Sequence, residues 1–329
     1  MKAVMYEGPR SLMMREVARP VPAEGEALVE IAAVGICGSD MHGYHGRDPR
    51  RVAPLILGHE ATGICRGGPH EGNLVALNPL ISCGRCDDCG SGRTNLCPER
   101  ELIGMNRPGA FAEFIAMPEV NLLALPSGLG PAEGALMEPV ATGLHAIGIA
   151  ARVGSKPLAE AKVGVCGAGA VGFLTALSLR ALGVGELVVS ELNPGRREMA
   201  ARYLDARIID PRAASVAPGS LDVVIDGVGA RASRAQAVEW VRPGGVVVHV
   251  GLHETGGELD IRRLTLSEIT FVGSYTYTRA DLELALTLLG RGNLGHLGWL
   301  EERSLDEAAR AFSDLDHGQV AGAKVVLRP

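Results

Sequence analysis

The stretch VGVCGAGAVGFL, residues 163–174, decides the fold, because its glycines stand in G-x-G-x-x-G register between a strand pattern and a helix pattern. In that register the first glycine permits a tight turn, the second admits a pyrophosphate, and the third lets helix and strand pack closely. Glu191 lies nineteen residues after Gly172, where an acid accepts hydrogen bonds from a ribose diol. The predicted dinucleotide-binding residues are Gly167, Gly169, Ala170, Val171, Gly172, Glu191 and Arg196.

The acid also bears on the choice of dinucleotide. A carboxylate at position 191 would repel the 2′-phosphate of NADP, so the sequence favours NAD. Arg196 and Arg197 follow closely and could in principle offset that repulsion. An ordinary tight turn and a solvated acid at a strand end remain the structural alternatives for this stretch.

The pattern around this stretch predicts an α/β protein with two domains. Strand and helix patterns alternate from residue 162 to about 275, which indicates six strands in a doubly wound parallel sheet. The first 130 residues instead show short strand patterns such as KAVMYE and EALVEIAAVGI. The helical and strand patterns after residue 280 exceed what one sheet requires. We therefore expect residues 1–143 and 281–329 to form a β-rich domain around a domain of residues 144–280.

Composition excludes several classes of protein. The chain has 329 residues, 47% of them hydrophobic and 21% charged, as in soluble globular proteins. A net charge of −6 provides no basic field for nucleic acid or an anionic membrane. Residues 163–179 carry no charge, but their glycines indicate a buried strand, a turn and a helix instead of a membrane span. We expect a soluble, cytoplasmic protein with reduced thiols.

Four cysteines in C-x2-C-x2-C-x7-C spacing predict a metal-binding lobe at about residues 80–100. Four thiolates complete a closed tetrahedral zinc shell, which supports structure and leaves no position for chemistry. An iron–sulfur cluster and disulfides are the alternatives. Disulfides are disfavoured, since seven cysteines are an odd number and no secretory signal opens the sequence. The predicted structural zinc ligands are Cys83, Cys86, Cys89 and Cys97.

A second candidate metal site lies upstream of this lobe. Cys37 occurs in AVGICGSDMHGYHG, and His59 and Glu60 occur in LILGHEATG. One thiolate, one imidazole and one carboxylate leave an open fourth position, an arrangement that suits catalytic zinc. Without context, a buried thiol and a hydrogen-bonded histidine are the commoner interpretation of such residues.

The order of the motifs supplies that context. CGSDMH, GHE, the four cysteines, MEPVATGLHA, GAGAVG and the closing AKVVL together resemble the zinc-dependent medium-chain alcohol dehydrogenase family, and more narrowly its polyol dehydrogenase branch. The resemblance covers nearly the whole chain. It implies a GroES-like β-rich catalytic domain joined to a Rossmann domain, with two zinc ions per chain, one catalytic and one structural.

The resemblance also assigns roles to residues. It implies that Cys37, His59 and Glu60 hold the catalytic zinc and that Glu138 is a second carboxylate near the metal, bound directly or through water. Ser39 would hydrogen-bond the substrate hydroxyl, and His42 would pass its proton towards solvent. Asp40 is either a partner of a ligating histidine or a helix-capping acid.

The implied reaction is hydride transfer between a secondary alcohol or polyol and NAD, giving the ketone. In GSYTYTRADL, Thr276 and Tyr277 stand where the sorbitol branch presents an arginine and a tyrosine, so the polyol stays open. Tyr44 is a further pocket candidate. The alternatives are a zinc-free quinone or enoyl reductase, and an NAD- and zinc-binding sensor without turnover. Family members are usually homodimers or homotetramers.

Overall fold

The structure is a computed structural model that describes residues 1–214 and 216–329. Its first half is built of short strands, because the apolar residues here alternate or form brief runs between Gly and Pro punctuation. The strands are β1 (Lys2–Gly8), β2 (Ser11–Glu16), β3 (Glu26–Gly35), β4 (Leu55–Ile56), β5 (Glu60–Arg66), β6 (Leu74–Leu77), β7 (Leu80–Ile81), β8 (Glu101–Leu102), β9 (Phe114–Pro118) and β10 (Leu122–Ala124). The helices among and after them are α1 (Gly38–Tyr44), α2 (Asp87–Gly90), α3 (Pro131–Gly134) and α4 (Met137–Val153).

The second half alternates strands and helices, as the sequence predicts. Its elements are β11 (Lys162–Cys166), α5 (Ala170–Ala181), β12 (Glu186–Ser190), α6 (Pro194–Tyr203), β13 (Arg207–Ile209), β14 (Leu221–Asp226), α7 (Arg231–Trp240), β15 (Val241–His249), α8 (Ile261–Leu266) and β16 (Thr270–Gly273). The six strands form one parallel sheet in the order β13-β12-β11-β14-β15-β16. The predicted doubly wound Rossmann sheet is therefore confirmed.

The last elements return the chain to the sheet of the first half. They are α9 (Arg279–Gly290), β17 (Leu300–Ser304), α10 (Ala308–Asp316) and β18 (Lys324–Arg328). Strand β18 pairs antiparallel with β3, which places it between β3 and β17 in a seven-stranded sheet. This pairing brings the end of the sequence against residues near position 35.

Two large apolar cores accompany the two sheets. One core joins α4, α5 and α9 to the face of the parallel sheet, and the other fills the sheet of the first half together with α10. Helix α4 runs without interruption across position 143, where we predicted a domain boundary, and α9 does the same at position 280. The domain limits therefore stay a prediction, since α4 and α9 each run across one of the predicted boundaries.

The uncharged stretch 163–179 is divided as the sequence predicts. It supplies β11, a glycine turn and most of α5. Across the part of the chain that the structure describes, no helix combines the length and the apolar character needed to cross a membrane.

Candidate active site

The three residues predicted to hold catalytic zinc come together in the structure. Cys37 directly precedes α1, whereas His59 and Glu60 stand at the start of β5. One ligand atom from each lies within 4.8 Å of the other two. Tetrahedral bonds of 2.0–2.3 Å require ligand atoms about 3.3–3.8 Å apart, so a small shift would seat a zinc ion. The donor set of one thiolate, one imidazole and one carboxylate fits that metal.

Asp40 lies where both of the roles considered for it are open to it. Its Oδ2 accepts a hydrogen bond from the Cys37 backbone N–H at 3.0 Å, which caps α1. Its Oδ1 lies 3.3 Å from His59 Nδ1. Burial opposes ionisation of Asp40, but the His59 imidazole holds the pKa of the carboxyl below its ordinary value. Carboxylates commonly lie against one ring nitrogen of a ligating histidine in this way, and the other nitrogen of His59, Nε2, lies 3.3 Å from Ser39 Oγ.

Glu60 has a buried cationic partner that sequence reasoning missed. Lys324 Nζ, on β18, lies 2.6 Å from both carboxylate oxygens of Glu60, and both side chains are almost fully buried. Gly35 makes room for this pair, since a Cβ at that position would lie 2.1 Å from Glu60 Oε2. A carboxylate has about four lone-pair sites, so Glu60 can bind Lys324 and still face a metal.

Glu138 lies in the first turn of α4 and is 7% exposed. Burial raises its pKa to about 7, the charge of His59 opposes that rise, and Glu60 adds to it. The Tyr277 side chain, 1% exposed, faces the same carboxylate, and burial with the charge of Glu138 raises the pKa of its phenol well above 10. The second carboxylate of the sequence prediction thus lies close enough to the metal cluster to interact with it electrostatically.

The two predicted relay residues lie on α1. Ser39 Oγ is 3.3 Å from His59 Nε2 and accepts a hydrogen bond from Arg51 Nη2 at 3.2 Å. His42 is partly exposed, and burial and the neighbouring His253 lower its pKa. Because His253 follows β15, this proximity brings the relay of the first half against the carboxyl ends of the parallel strands. Sequence reasoning missed Arg51, which no local motif marks.

The four-cysteine lobe has the geometry of a closed metal site. Its four sulfur atoms all lie within 4.8 Å of one another, and Cys83 Sγ is 4.0 Å from Cys89 Sγ. Tetrahedral Zn–S bonds of 2.3 Å correspond to sulfur separations of about 3.8 Å. Hydrogen bonds from the backbone of Arg85 and Cys86 lower the pKa of Cys83 to about 7, which favours the thiolate that binds metal. All seven cysteines are free thiols, Cys65 and Cys166 among them.

The glycine turn after β11 has the shape expected of a pyrophosphate cradle. Gly167 has φ of 92°, and a Cβ on Gly172 would lie 2.1 Å from the Gly167 carbonyl oxygen. Gly169 precedes α5, whose first turn contains Ala170 and Val171. The helix N-terminus therefore points its free N–H groups at the turn.

Glu191 and Arg196 flank this turn. The Glu191 carboxylate accepts hydrogen bonds from the backbone N–H groups of Ala168 and Asn193, both at 2.8 Å. Arg196 lies on α6 with its Nη1 3.7 Å from the position of a Cβ on Gly169, and its buried Nε has no hydrogen-bond partner among the described residues. Acid and cation thus both lie at the glycine turn, as the prediction of a dinucleotide site requires.

Thr276 and Tyr277 follow β16, and the Tyr277 side chain lies against Glu138, close to Cys37 and Glu60. Thr276 has φ of 47°, which is rare for a β-branched residue and marks a strained turn. Tyr44, the other pocket candidate, instead packs on Phe312 with ring centroids 5.4 Å apart, inside the core of the first half.

Fold and site together define a class: a two-domain dehydrogenase in which a candidate zinc site lies near residues that follow the strands of a Rossmann sheet. The chain belongs to the zinc-binding dehydrogenase family with a GroES-like domain. The family described as the alcohol dehydrogenase GroES-like domain matches residues 23–127, and the one described as zinc-binding dehydrogenase matches residues 170–291.

Individual dehydrogenases resemble the chain over most of its length. The chain is 33% identical to L-galactonate-5-dehydrogenase of Escherichia coli (strain K12), over 89% of this chain and 88% of that one. It is 32% identical to sorbitol dehydrogenase of Bacillus subtilis, over 84% and 82%. A solved structure from Sinorhizobium meliloti 1021, described as a zinc-binding dehydrogenase bound to NADP, superposes with a TM-score of 0.89 at 30% identity, over 100% and 99%.

These comparisons confirm the predicted family, its GroES-like and Rossmann folds, and the class of oxidoreductase acting on alcohols. They favour that class over a zinc-free reductase or a sensor without turnover. They do not test the individual site residues, which stay predictions supported by the geometry above.

Proposed function

We propose that the chain interconverts a secondary alcohol or polyol and its ketone, with NAD as hydride acceptor and a catalytic zinc at Cys37, His59 and Glu60. The observation that carries this proposal is the convergence of those three donors within 4.8 Å of one another, beside residues that follow the parallel strands. Glu138 is the fourth candidate ligand, directly or through water. Cys83, Cys86, Cys89 and Cys97 hold the second, structural zinc.

The chain's own residues supply positioning and a path for the proton. A zinc ion at this site would act as a Lewis acid and stabilise an alkoxide by several kcal/mol. Ser39 Oγ lies beside His59 and can accept the alcohol proton as it gives up its own hydroxyl hydrogen, and His42, further along α1 and partly exposed, is the candidate to pass that proton to solvent. The buried walls around Tyr277 and Glu138 exclude water, which strengthens every charge interaction in the site.

Glu191 supports NAD as the better dinucleotide, since its carboxylate lies at the glycine turn and would repel the 2′-phosphate of NADP. The proposal predicts a higher kcat/KM with NAD than with NADP, and Glu191→Gln should narrow that preference. The Sinorhizobium protein bound to NADP makes this comparison necessary. A wild-type preference for NADP would refute the assignment of Glu191.

Metal content and turnover test the catalytic assignment. The wild type should contain two zinc ions per chain and reduce NAD in the presence of at least one member of a panel of polyols, sugar acids and simple secondary alcohols. The names of the two curated relatives guide that panel. Cys37→Ala should retain one zinc and lose turnover. Cys65 is a buried thiol outside both groups of candidate zinc ligands, so Cys65→Ala is the matched control. This variant should keep both zinc ions and wild-type turnover.

Two outcomes would contradict the proposal. A single zinc ion that survives Cys37→Ala would show that the three-residue cluster is not a metal site. Bound dinucleotide and two zinc ions without turnover on the whole panel would favour the sensor. We also propose a cytoplasmic homodimer or homotetramer, which light scattering of the purified protein and cell fractionation would test.

A further inference from the structure

Arg51 is a buried arginine beside Ser39 to which the proposed reaction gives no role. Its side chain is fully buried, and Gly43 provides the space for it: a Cβ on Gly43 would lie 2.6 Å from Arg51 Cδ. Arginine is almost never fully buried without partners. The partners of its guanidinium therefore indicate why it lies there.

Three hydrogen bonds fix the guanidinium in one orientation. Nη1 donates to Asp48 Oδ2 at 2.5 Å, and Nε donates to the Gly104 carbonyl oxygen at 3.1 Å. Nη2 donates to Ser39 Oγ at 3.2 Å. Because the guanidinium is planar and rigid, the first two bonds determine the direction of the third.

This contact restricts what the serine hydroxyl can do. A hydroxyl has one hydrogen and two lone pairs, whereas a guanidinium carries donors only. Ser39 Oγ must therefore use a lone pair towards Arg51, and its hydrogen and second lone pair stay available for other groups. Asp40 Oδ1, at 3.9 Å from Arg51 Nη2, is too distant to take this donor from the serine.

We infer that Arg51 is a positioning residue for the proton relay: it holds Ser39 Oγ in the orientation that receives the substrate proton. The inference rests on the proposed function and extends it to a residue outside the predicted site. The hydrogen bonds of Arg51 go to Asp48, Gly104 and Ser39, so its effect on the reaction would pass through Ser39. Removing it would take away the donor that fixes the Ser39 hydroxyl and leave only the 3.3 Å contact with His59 Nε2, and small misplacements of reacting groups are costly in rate.

A double-mutant cycle tests this coupling. Arg51→Met should lower kcat about 10- to 100-fold with little change in alcohol KM, because the lost contact orients a reacting group. Ser39→Ala should lower kcat by a similar factor. The double variant should be no slower than Ser39→Ala alone, since residues acting through one group are not additive. Multiplicative losses in the double variant would overturn the inference.

Controls separate this coupling from a general loss of structure. Arg50→Met removes an exposed neighbour that also bonds Asp48 but makes no contact with Ser39, and should retain wild-type kcat. If Arg51→Met folds poorly, Arg51→Ala should be activated by added guanidinium ion with Ser39 present, and not in the Ser39→Ala background. Rescue in both backgrounds, or in neither, would count against the inference. A wild type without turnover refutes the proposed function itself, whereas an active wild type with an additive cycle refutes only the role of Arg51.

Discussion

Replacing Lys324 should lower the free energy of unfolding by an amount that depends on whether zinc is bound. Lys324→Met leaves the buried Glu60 carboxylate without its cation, and breaking a buried pair costs about 3–5 kcal/mol. We expect that loss in chelated protein and a smaller one with zinc present, because zinc then partners Glu60. Urea unfolding with and without zinc, each relative to wild type, measures the difference.

A matched control for this prediction is Lys162→Met. Lys162 pairs with Glu186 at 3.1 Å on the surface, where such pairs contribute little, so the free energy of unfolding should change by less than about 1 kcal/mol. Equal losses for Lys324→Met in chelated and zinc-loaded protein would mean that Glu60 does not face the metal.

Gly172→Ala should disable the dinucleotide site. Its Cβ would lie 2.1 Å from the Gly167 carbonyl oxygen, so strand and helix would have to separate. We expect NADH affinity to fall at least about tenfold, measured by fluorescence titration, because the pyrophosphate loop would lose its shape. Gly148→Ala in α4 meets no atom within 4 Å and should bind NADH normally while stabilising the helix by about 1 kcal/mol. Normal NADH binding by Gly172→Ala would contradict this assignment.

Single residues also show where sequence reasoning stops. Cys37, His59 and Glu60 could be predicted because they occur in short motifs of recognised order. Lys324 could not be linked to Glu60, since 264 positions separate them and only the pairing of β18 with β3 brings them together. Arg51 carries no local signal either, because its meaning comes from the space beside Gly43 and the position of Ser39.

Among the elements, β11, β14 and β15 are joined at one end by the Asp222 carboxylate. It accepts hydrogen bonds from the Lys162 backbone N–H at 2.9 Å and from Arg242 Nε at 2.5 Å, and Lys156 lies 2.9 Å away. Burial opposes ionisation, but these donors lower the pKa of Asp222 to about 2. The cluster therefore stabilises the ionised form at the amino end of the sheet.

This cluster predicts a pH dependence of stability. The pKa of Asp222 is lower in the folded chain than in the unfolded one, so its contribution is complete above about pH 4 and is lost as pH falls towards 2. Asp222→Asn should lose roughly 2 kcal/mol near neutrality, and its difference from wild type should shrink below pH 4. Denaturant unfolding across that range measures it, with the exposed Asp306→Asn as control. A difference that is constant with pH would contradict the prediction.

The elements of the parallel sheet could be predicted from sequence, whereas the limits of the domains stay a prediction. Short apolar runs, separated by helix patterns and glycines, indicated all six parallel strands. A strand that is buried on both faces requires such a continuous apolar run. The predicted boundary at position 143 lies inside α4. A helix pattern in the sequence does not show which sheet each end of the helix packs against.

At the scale of the whole molecule, the four-cysteine lobe is linked to the substrate side of the cleft. Asn95, 2% exposed, lies just before Cys97, and its Nδ2 donates to the Tyr275 carbonyl oxygen at 2.9 Å. Tyr275 directly precedes the strained Thr276 and the buried Tyr277. The lobe therefore supports the turn that carries Tyr277 to Glu138.

Loss of the structural zinc should therefore weaken the binding of the alcohol at the substrate site. Cys89→Ser should bind one zinc ion instead of two, unfold at lower temperature, and show a higher KM for the alcohol than wild type with NAD affinity retained. Asn95→Ala should reproduce the KM effect with both zinc ions in place, because it removes the hydrogen bond to the Tyr275 carbonyl oxygen and leaves the four cysteines unchanged. Zinc analysis, thermal unfolding and steady-state kinetics measure these changes. An unchanged alcohol KM in both variants would mean that the lobe and the turn are independent.

The pairing of Lys324 with Glu60 has a consequence for how the chain is made. Residues 162–273 form their parallel sheet from a continuous segment, so this part can fold while synthesis is still under way. The sheet that bears the three candidate zinc ligands lacks β17 and β18 until residues 300–328 have been translated. Until then Glu60 has no buried cation beside it, and contacts this distant in sequence form slowly. Newly made chains should therefore bind dinucleotide before they acquire a finished catalytic metal site.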